Sequence, residues 1–143
     1  MSVTVDTNIL LYAANEDDEA HLLARRLLER LAGGQDLLYL FWPTIMGFLR
    51  ISTHPAIFPD PLTARQANAA VAALLSRPNV RTTSERDGFW ELYDRAAGPE
   101  STGNHVPDAH LAVLMRQHGV GIIYTRDRDL RRYDTIHVRD PFS

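Results

Sequence analysis

Two kinds of segment alternate along the chain: short continuous apolar runs, and longer stretches in which apolar residues recur every three or four positions. The continuous runs predict strands. They are Val3 to Val5, "LLYLFW" at 37–42 and "VGIIYT" at 120–125, with "NVRTT" at 79–83 and "TIHV" at 135–138 as weaker candidates. The periodic stretches predict helices. A short one covers 9–14, and a long one covers "NEDDEAHLLARRLLERLAGG". In the latter, Glu16, Asp17, Asp18 and Glu19 stand at the start, where the helix dipole favours them, and Gly33-Gly34 ends it. Leu23, Ala24, Leu27, Leu28 and Leu31 form its apolar stripe. Pro43 opens a helix over 44–53, and Thr63 caps another over 64–75 whose buried face is Ala67, Val71, Leu74 and Leu75. Residues 87–97 read as helix, with Phe89, Trp90 and Tyr93 directed at the core. After a loop at 98–106, Pro107 opens a helix that runs to Gln117 and stops at Gly119. "RDRDLRRYD" is then a polar turn or short helix. Strands alternating with helices predict an α/β fold whose mainly parallel sheet is covered on both faces.

Composition narrows the classes. The length, 143 residues, predicts a single domain over 1–143, and 45% apolar with 23% charged residues is ordinary for a globular protein. No apolar run reaches membrane-spanning length and no secretion signal opens the chain, so the expected location is cytoplasmic. Zero cysteines exclude disulfides, thiolate zinc sites and cysteine nucleophiles. The net charge of −3 is not the basic balance typical of nucleic-acid binding. All fifteen basic residues are arginine, which excludes phosphoacceptor receivers and lysine-dependent phosphatases or P-loop enzymes.

In a parallel sheet, ligands bind outside the carboxyl ends of the strands. Asp6 directly follows the first strand, and Asp127 and Asp129 directly follow "GIIYT". The helix opened by Pro107 leads into that strand and so starts at the same edge, bringing Asp108 there. Carboxylates crowded together repel unless a cation sits among them or some are protonated. An all-oxygen donor set suits Mg²⁺ or Mn²⁺ rather than zinc. Taken singly, Asp108 also reads as a partner for free helix amides, and Asp127 and Asp129 as turn formers or surface partners of nearby arginines.

"VDTNILLYA", "VPDAHLA" and "YTRDRDL", in this order, resemble the PIN-domain nucleases, and more closely the VapC-type toxins of toxin–antitoxin pairs. The likeness extends to "GFLRISTHPAIFPDPLT", to "GN" before the third motif, and to a closing "DP". It implies a three-layer α/β/α domain with about five parallel strands. Asp6, Asp108 and Asp127 match the family's acidic metal-binding positions, Asp129 extends the last motif, and Asn8 and Thr125 match supporting polar residues. Asn104 falls in the loop before the third motif, suited to orienting a carboxylate or touching phosphate. One position departs: Gly47 stands where the family usually carries a glutamate, so Asp129 supplies a fourth carboxylate, or fewer ions bind, or activity is lost. A glycine inside a helix also points to close packing or ligand approach.

The resemblance implies hydrolysis of RNA phosphodiester bonds in tRNA or rRNA loops, leaving 5′-phosphate and 3′-hydroxyl ends. Arg50, Arg126 and Arg128 are candidate RNA-backbone contacts. A VapB-like antitoxin and a homodimer are the implied assemblies. Three rivals stand beside this reading. A haloacid-dehalogenase-type phosphatase wants an aspartate where Asn8 stands, and a lysine. A PIN-like scaffold would have lost its chemistry at Gly47. A zinc hydrolase would use His105, His110 or His118, but no helical H-E-x-x-H pair exists, and these histidines are expected at the surface.

Overall fold

Every strand pairing in the sheet is parallel, so each connection must carry the chain back across one of its faces. A computed structural model describes residues 1–142. In chain order the elements are β1 (Ser2–Val5), α1 (Thr7–Ala14), α2 (His21–Ala32), β2 (Leu37–Phe41), α3 (Trp42–Ser52), α4 (Ala64–Leu75) and β3 (Val80–Thr83). Then come α5 (Phe89–Ala97), α6 (His105–Gln117), β4 (Ile122–Tyr124), a 3₁₀ turn (Asp129–Arg132) and β5 (His137–Arg139). The strand order is β3-β2-β1-β4-β5. The chain winds outward from β1 through β2 to β3, then returns to add β4 and β5 on the other side. The order therefore reverses between β1 and β4, and in sheets of this kind ligands bind outside the carboxyl ends of the strands at such a point.

Alternation along the strands sends side chains to two cores. Val3, Val5, Leu38, Leu40 and Tyr124 pack with Ile9, Leu10, Leu27, Leu31, Ile45 and Phe48, from α1, α2 and α3. Phe41 and Ile123 point the other way and pack with Leu111, Leu114 and Met115 of α6. Two helical layers thus enclose the sheet, the three-layer α/β/α arrangement expected from the sequence. Full burial of each Leu, Ile or Val contributes about 1.5–3 kcal/mol. Thr4, wholly buried, stays satisfied by donating to the Tyr39 carbonyl at 2.6 Å. Among the described residues no helix is long and apolar enough to cross a membrane.

Several local expectations need correction. The acidic run does not start α2, which begins at His21. Side chains there form turns instead: Asn15 Oδ1 accepts from the Asp17 amide at 3.1 Å, and Asp18 Oδ1 from the Ala20 amide at 2.8 Å. Such local bonds compete with helix formation. Leu23 is 48% exposed while Ala24, Leu27, Leu28 and Leu31 are buried, so the stripe is narrower than predicted. Trp90 is not a core residue either. It is 66% exposed and stacks on Tyr93, which stacks in turn on Phe89. Pro107 is the third residue of α6 rather than its opener, because a proline fits anywhere in a first turn, where no amide partner is lost. Thr63 does cap α4, in a reciprocal capping box with Gln66.

Gly47 lies on α3 where it meets α1. A Cβ built there would sit 3.1 Å from Thr7 Oγ1 and 3.4 Å from Thr7 Cγ2, while that hydroxyl donates to the Thr44 carbonyl at 3.2 Å. Close packing thus accounts for the glycine. Replacing a mid-helix glycine with alanine ordinarily gains about 1 kcal/mol. Gly47→Ala is expected to gain less than that in the natural chain and to recover it in a Thr7→Ala background. Denaturant unfolding of the four proteins measures the difference, and equal effects in both backgrounds would contradict the packing.

Candidate metal centre

One hydroxyl joins the carboxyl ends of β1 and β4. Asp6 continues β1 by donating its amide to the Tyr124 carbonyl at 3.1 Å, which aligns its side chain with the end of β4. There Thr125, wholly buried, donates its Oγ1 hydrogen to Asp6 Oδ2 at 2.9 Å and accepts from the Asp127 amide at 2.9 Å. Asp127 Oδ1 accepts in turn from the Asp129 amide at 2.9 Å. Asp108 arrives from the first turn of α6. Among the described residues it accepts no backbone hydrogen bond, and neither Asp127 nor Asp129 is ion-paired with an arginine. The amide-partner reading of Asp108 and the arginine-pair reading of the other two therefore do not describe the fold. The turn-former reading does hold for Asp127.

The remaining predicted residues are placed less uniformly. Asn8 is exposed in the first turn of α1, and Asn104 is exposed at the N-cap of α6 without a side-chain cap bond. Arg128 is exposed just before the 3₁₀ turn. Arg126 is also exposed, but its guanidinium lies 5.6 Å from the Tyr12 ring centre and 5.0 Å from that of Phe142, an arrangement that holds the charge by cation–π attraction. Arg50 falls in the last turn of α3. Eight residues of helix at 1.5 Å each put it about 12 Å beyond the rim where α3 begins.

Sequence reasoning weighed His105 only as a zinc-hydrolase ligand and set it aside as a surface histidine. Its Nδ1 is shielded from solvent, has no hydrogen-bond partner and lies 4.0 Å from Asp108 Oδ2. A ring nitrogen of His105 and carboxylate oxygens of Asp108 and Asp129 all lie within 4.8 Å of one another. The only signal in the sequence was the three-residue spacing to Asp108 at the start of a helix. The other two histidines considered with it are occupied elsewhere: His110 contacts Glu85 at 2.6 Å and His118 the Ser84 carbonyl at 2.8 Å.

A profile of the PIN domain matches residues 3–136. The chain belongs to the PIN-domain family. Ribonuclease VapC48 of Mycobacterium tuberculosis is 44% identical over 144 residues, spanning 100% of this chain and 99% of that one. That full-length likeness puts this PIN domain among the VapC proteins. Two solved structures share its fold. One is VapC20 of Mycobacterium tuberculosis, titled a sarcin-ricin loop cleaving toxin, with a TM-score of 0.69, 22% identity, and coverage of 96% of this chain and 99% of that one. The other is VapBC2 of Rickettsia felis, solved bound to a DNA fragment from their promoter, with a TM-score of 0.70, 15% identity, and coverage of 97% and 98%. The phosphatase and zinc-hydrolase readings fall with this assignment.

Electrostatics make this PIN domain's acidic rim a strained arrangement without a cation. Burial, then repulsion by Asp127, Asp6 and Asp129, pushes the Asp108 carboxyl up to about 6, with His105 acting the other way. Burial also raises Asp6, against the opposing hydrogen bonds from Thr125 and the Thr7 backbone. Between the ordinary value of 3.8 and about 6, the folded chain holds a proton on Asp108 that the unfolded chain releases. Stability therefore falls as pH rises through that window. An oxygen-rich set with one shielded, unpartnered nitrogen fits a small divalent ion. The metal-free protein is expected to melt lower at pH 7 than at pH 5, and Mg²⁺ or Mn²⁺ to raise its Tm at pH 7 by about 5 °C or more. Asp108→Asn should flatten the pH dependence of the metal-free protein. Differential scanning calorimetry decides it, and a Tm that rises from pH 5 to 7 without metal would contradict the strain.

Proposed function

We propose that this PIN domain is a metal-dependent endoribonuclease, the toxin of a toxin–antitoxin pair, cutting RNA to 5′-phosphate and 3′-hydroxyl ends. The observation that supports this is that Asp127, Asp6 and Asp129 all lie near enough to repel the Asp108 carboxylate, beside the point where the strand order reverses. The full-length likeness to a VapC ribonuclease supports RNA as the substrate class.

Asp6, Asp108 and Asp127 would hold Mg²⁺ or Mn²⁺, with Asp129 at the exposed side. Bound there, the ion supplies Lewis acidity toward a phosphate oxygen and a lowered pKa for an attacking water. The chain's own groups prepare the site. Thr125 fixes the rotamers of Asp6 and the Asp127 segment, so neither must reorganise when charge develops. Asp108 gives up its proton before the site is loaded, which makes loading weaken below about pH 6. Arg128 and the ring-held Arg126 flank Asp127 and offset the acidic rim for an approaching RNA backbone. Asn8 and Asn104 stand at the rim as neutral donors to phosphate or carboxylate. Unpaired nucleotides can splay their bases and turn the backbone toward a protein site, so a single-stranded tRNA or rRNA loop is the substrate proposed.

A VapB-like antitoxin is the proposed partner, covering the acidic rim with a basic side chain, and a homodimer the proposed unit. The structural likeness to VapBC2 supports the partner. The proposed place of action is the cytoplasm, where tRNA and rRNA are.

The test is cleavage of a mixed tRNA and rRNA pool by antitoxin-free protein, with Mg²⁺, with Mn²⁺, with EDTA, and with Asp6→Asn purified identically. Discrete cuts that need metal and vanish in Asp6→Asn are expected. Matching digests from natural and substituted protein under every metal would reject the enzyme in favour of a binding module. Thr125→Val keeps the side-chain shape but removes the hydroxyl. It is expected to lower activity by about 10- to 100-fold while the chain stays folded, and unchanged cleavage would deny Thr125 its orienting role.

A further inference from the structure

We propose that His105 is a nitrogen ligand of this metal centre, entering with Asp108 and Asp129, and that it biases the site toward transition-metal ions over Mg²⁺. The inference rests on the metal-dependent reading above and deepens it, by saying which kind of ion the site prefers.

Geometry carries the argument. The 4.0 Å between His105 Nδ1 and Asp108 Oδ2 is too long for a hydrogen bond. It matches two ligand atoms on opposite sides of one ion, since metal–nitrogen and metal–oxygen bonds of about 2.1 Å span up to roughly 4.2 Å. The third donor, from Asp129, keeps the whole set within 4.8 Å, so the three side chains have to draw together to close on one ion. Burial makes the same point from another side. The His105 side chain is 40% exposed, yet its Nδ1 is the shielded end and has no partner. Shielded nitrogens are rarely left unpaired. Helix geometry fixes the pairing too, because residues three apart in α6 share a face.

The position of Gly47 adds a reason. Glycine has no side chain and α3 carries no acidic residue, so α3 brings no carboxylate to the centre. His105, from the start of α6, makes up the donor count with nitrogen instead of oxygen. Mg²⁺ binds oxygen almost exclusively and gains little from imidazole, whereas Mn²⁺ and later first-row ions accept it.

Binding is measured on the full chain by isothermal titration with Mn²⁺ and Mg²⁺, alongside pulsed EPR of bound Mn²⁺. In the natural protein the Mn²⁺ spectrum is expected to show coupling to a directly bound ¹⁴N. His105→Ala should lose that coupling and weaken Mn²⁺ about tenfold, while Mg²⁺ changes less than about threefold. The spectrum is read on the natural chain, so the result does not depend on the variant folding. Mn²⁺ bound without nitrogen coupling overturns the inference and leaves the metal-dependent nuclease standing. Equal weakening of both ions in His105→Ala overturns the selectivity. Failure of the natural protein to bind either ion removes both the inference and the reading beneath it.

Discussion

The Thr125 hydroxyl is the joint on which the site depends. With one oxygen it holds a carboxylate from the end of β1 and the backbone of the turn after β4, at 2.9 Å each. A hydroxyl can be both a donor to Asp6 and an acceptor from Asp127 at that buried point, whereas a valine of the same shape can be neither. Because β1 and β4 are neighbours, the joint sits at the reversal of strand order, and α6 begins beside it. The fold thus delivers like charges to one place and stiffens them there. The cost shows in Asp108, held at about 6 by burial and by the other three acids. A protein selected for stability alone would separate these groups, and their convergence is what supports the proposed metal centre.

Much of this arrangement was legible in the residues. Alternation of apolar runs with periodic stretches announced a parallel sheet under two helical layers; strand direction put Asp6 and Asp127 at its carboxyl edge, and the run of the helix leading into β4 put Asp108 there. Thr63 and Gln66 declared the start of α4, because a capping box is a purely local device. Where local chemistry competed with local chemistry, the reading failed. The acids before α2 looked like a helix start, but Asn15 and Asp18 use their side chains for turns. Trp90 and Leu23 looked like core residues because hydrophobicity alone does not tell which side of a helix meets its neighbour.

His105 was hidden for a different reason. A lone histidine in a loop-like segment carries no periodicity and forms no recognised ligand spacing with His110 or His118. Its meaning depends on α6 starting two residues earlier than Pro107 suggested, which turns a loop residue into one that shares a helical face with Asp108. Gly47 was noticed but half understood. Its packing against Thr7, the residue next to Asp6, explains how α3 comes so close to α1 without a side chain between them.

Crystals of the protein grown with Mn²⁺ and measured for anomalous scattering test the central claim most directly. The account predicts an anomalous peak about 2.2 Å from carboxylate oxygens of Asp6, Asp108 and Asp127, at the carboxyl ends of β1 and β4. A saturating Mn²⁺ concentration that leaves this edge without a peak, the carboxylates paired through shared protons instead, would contradict it.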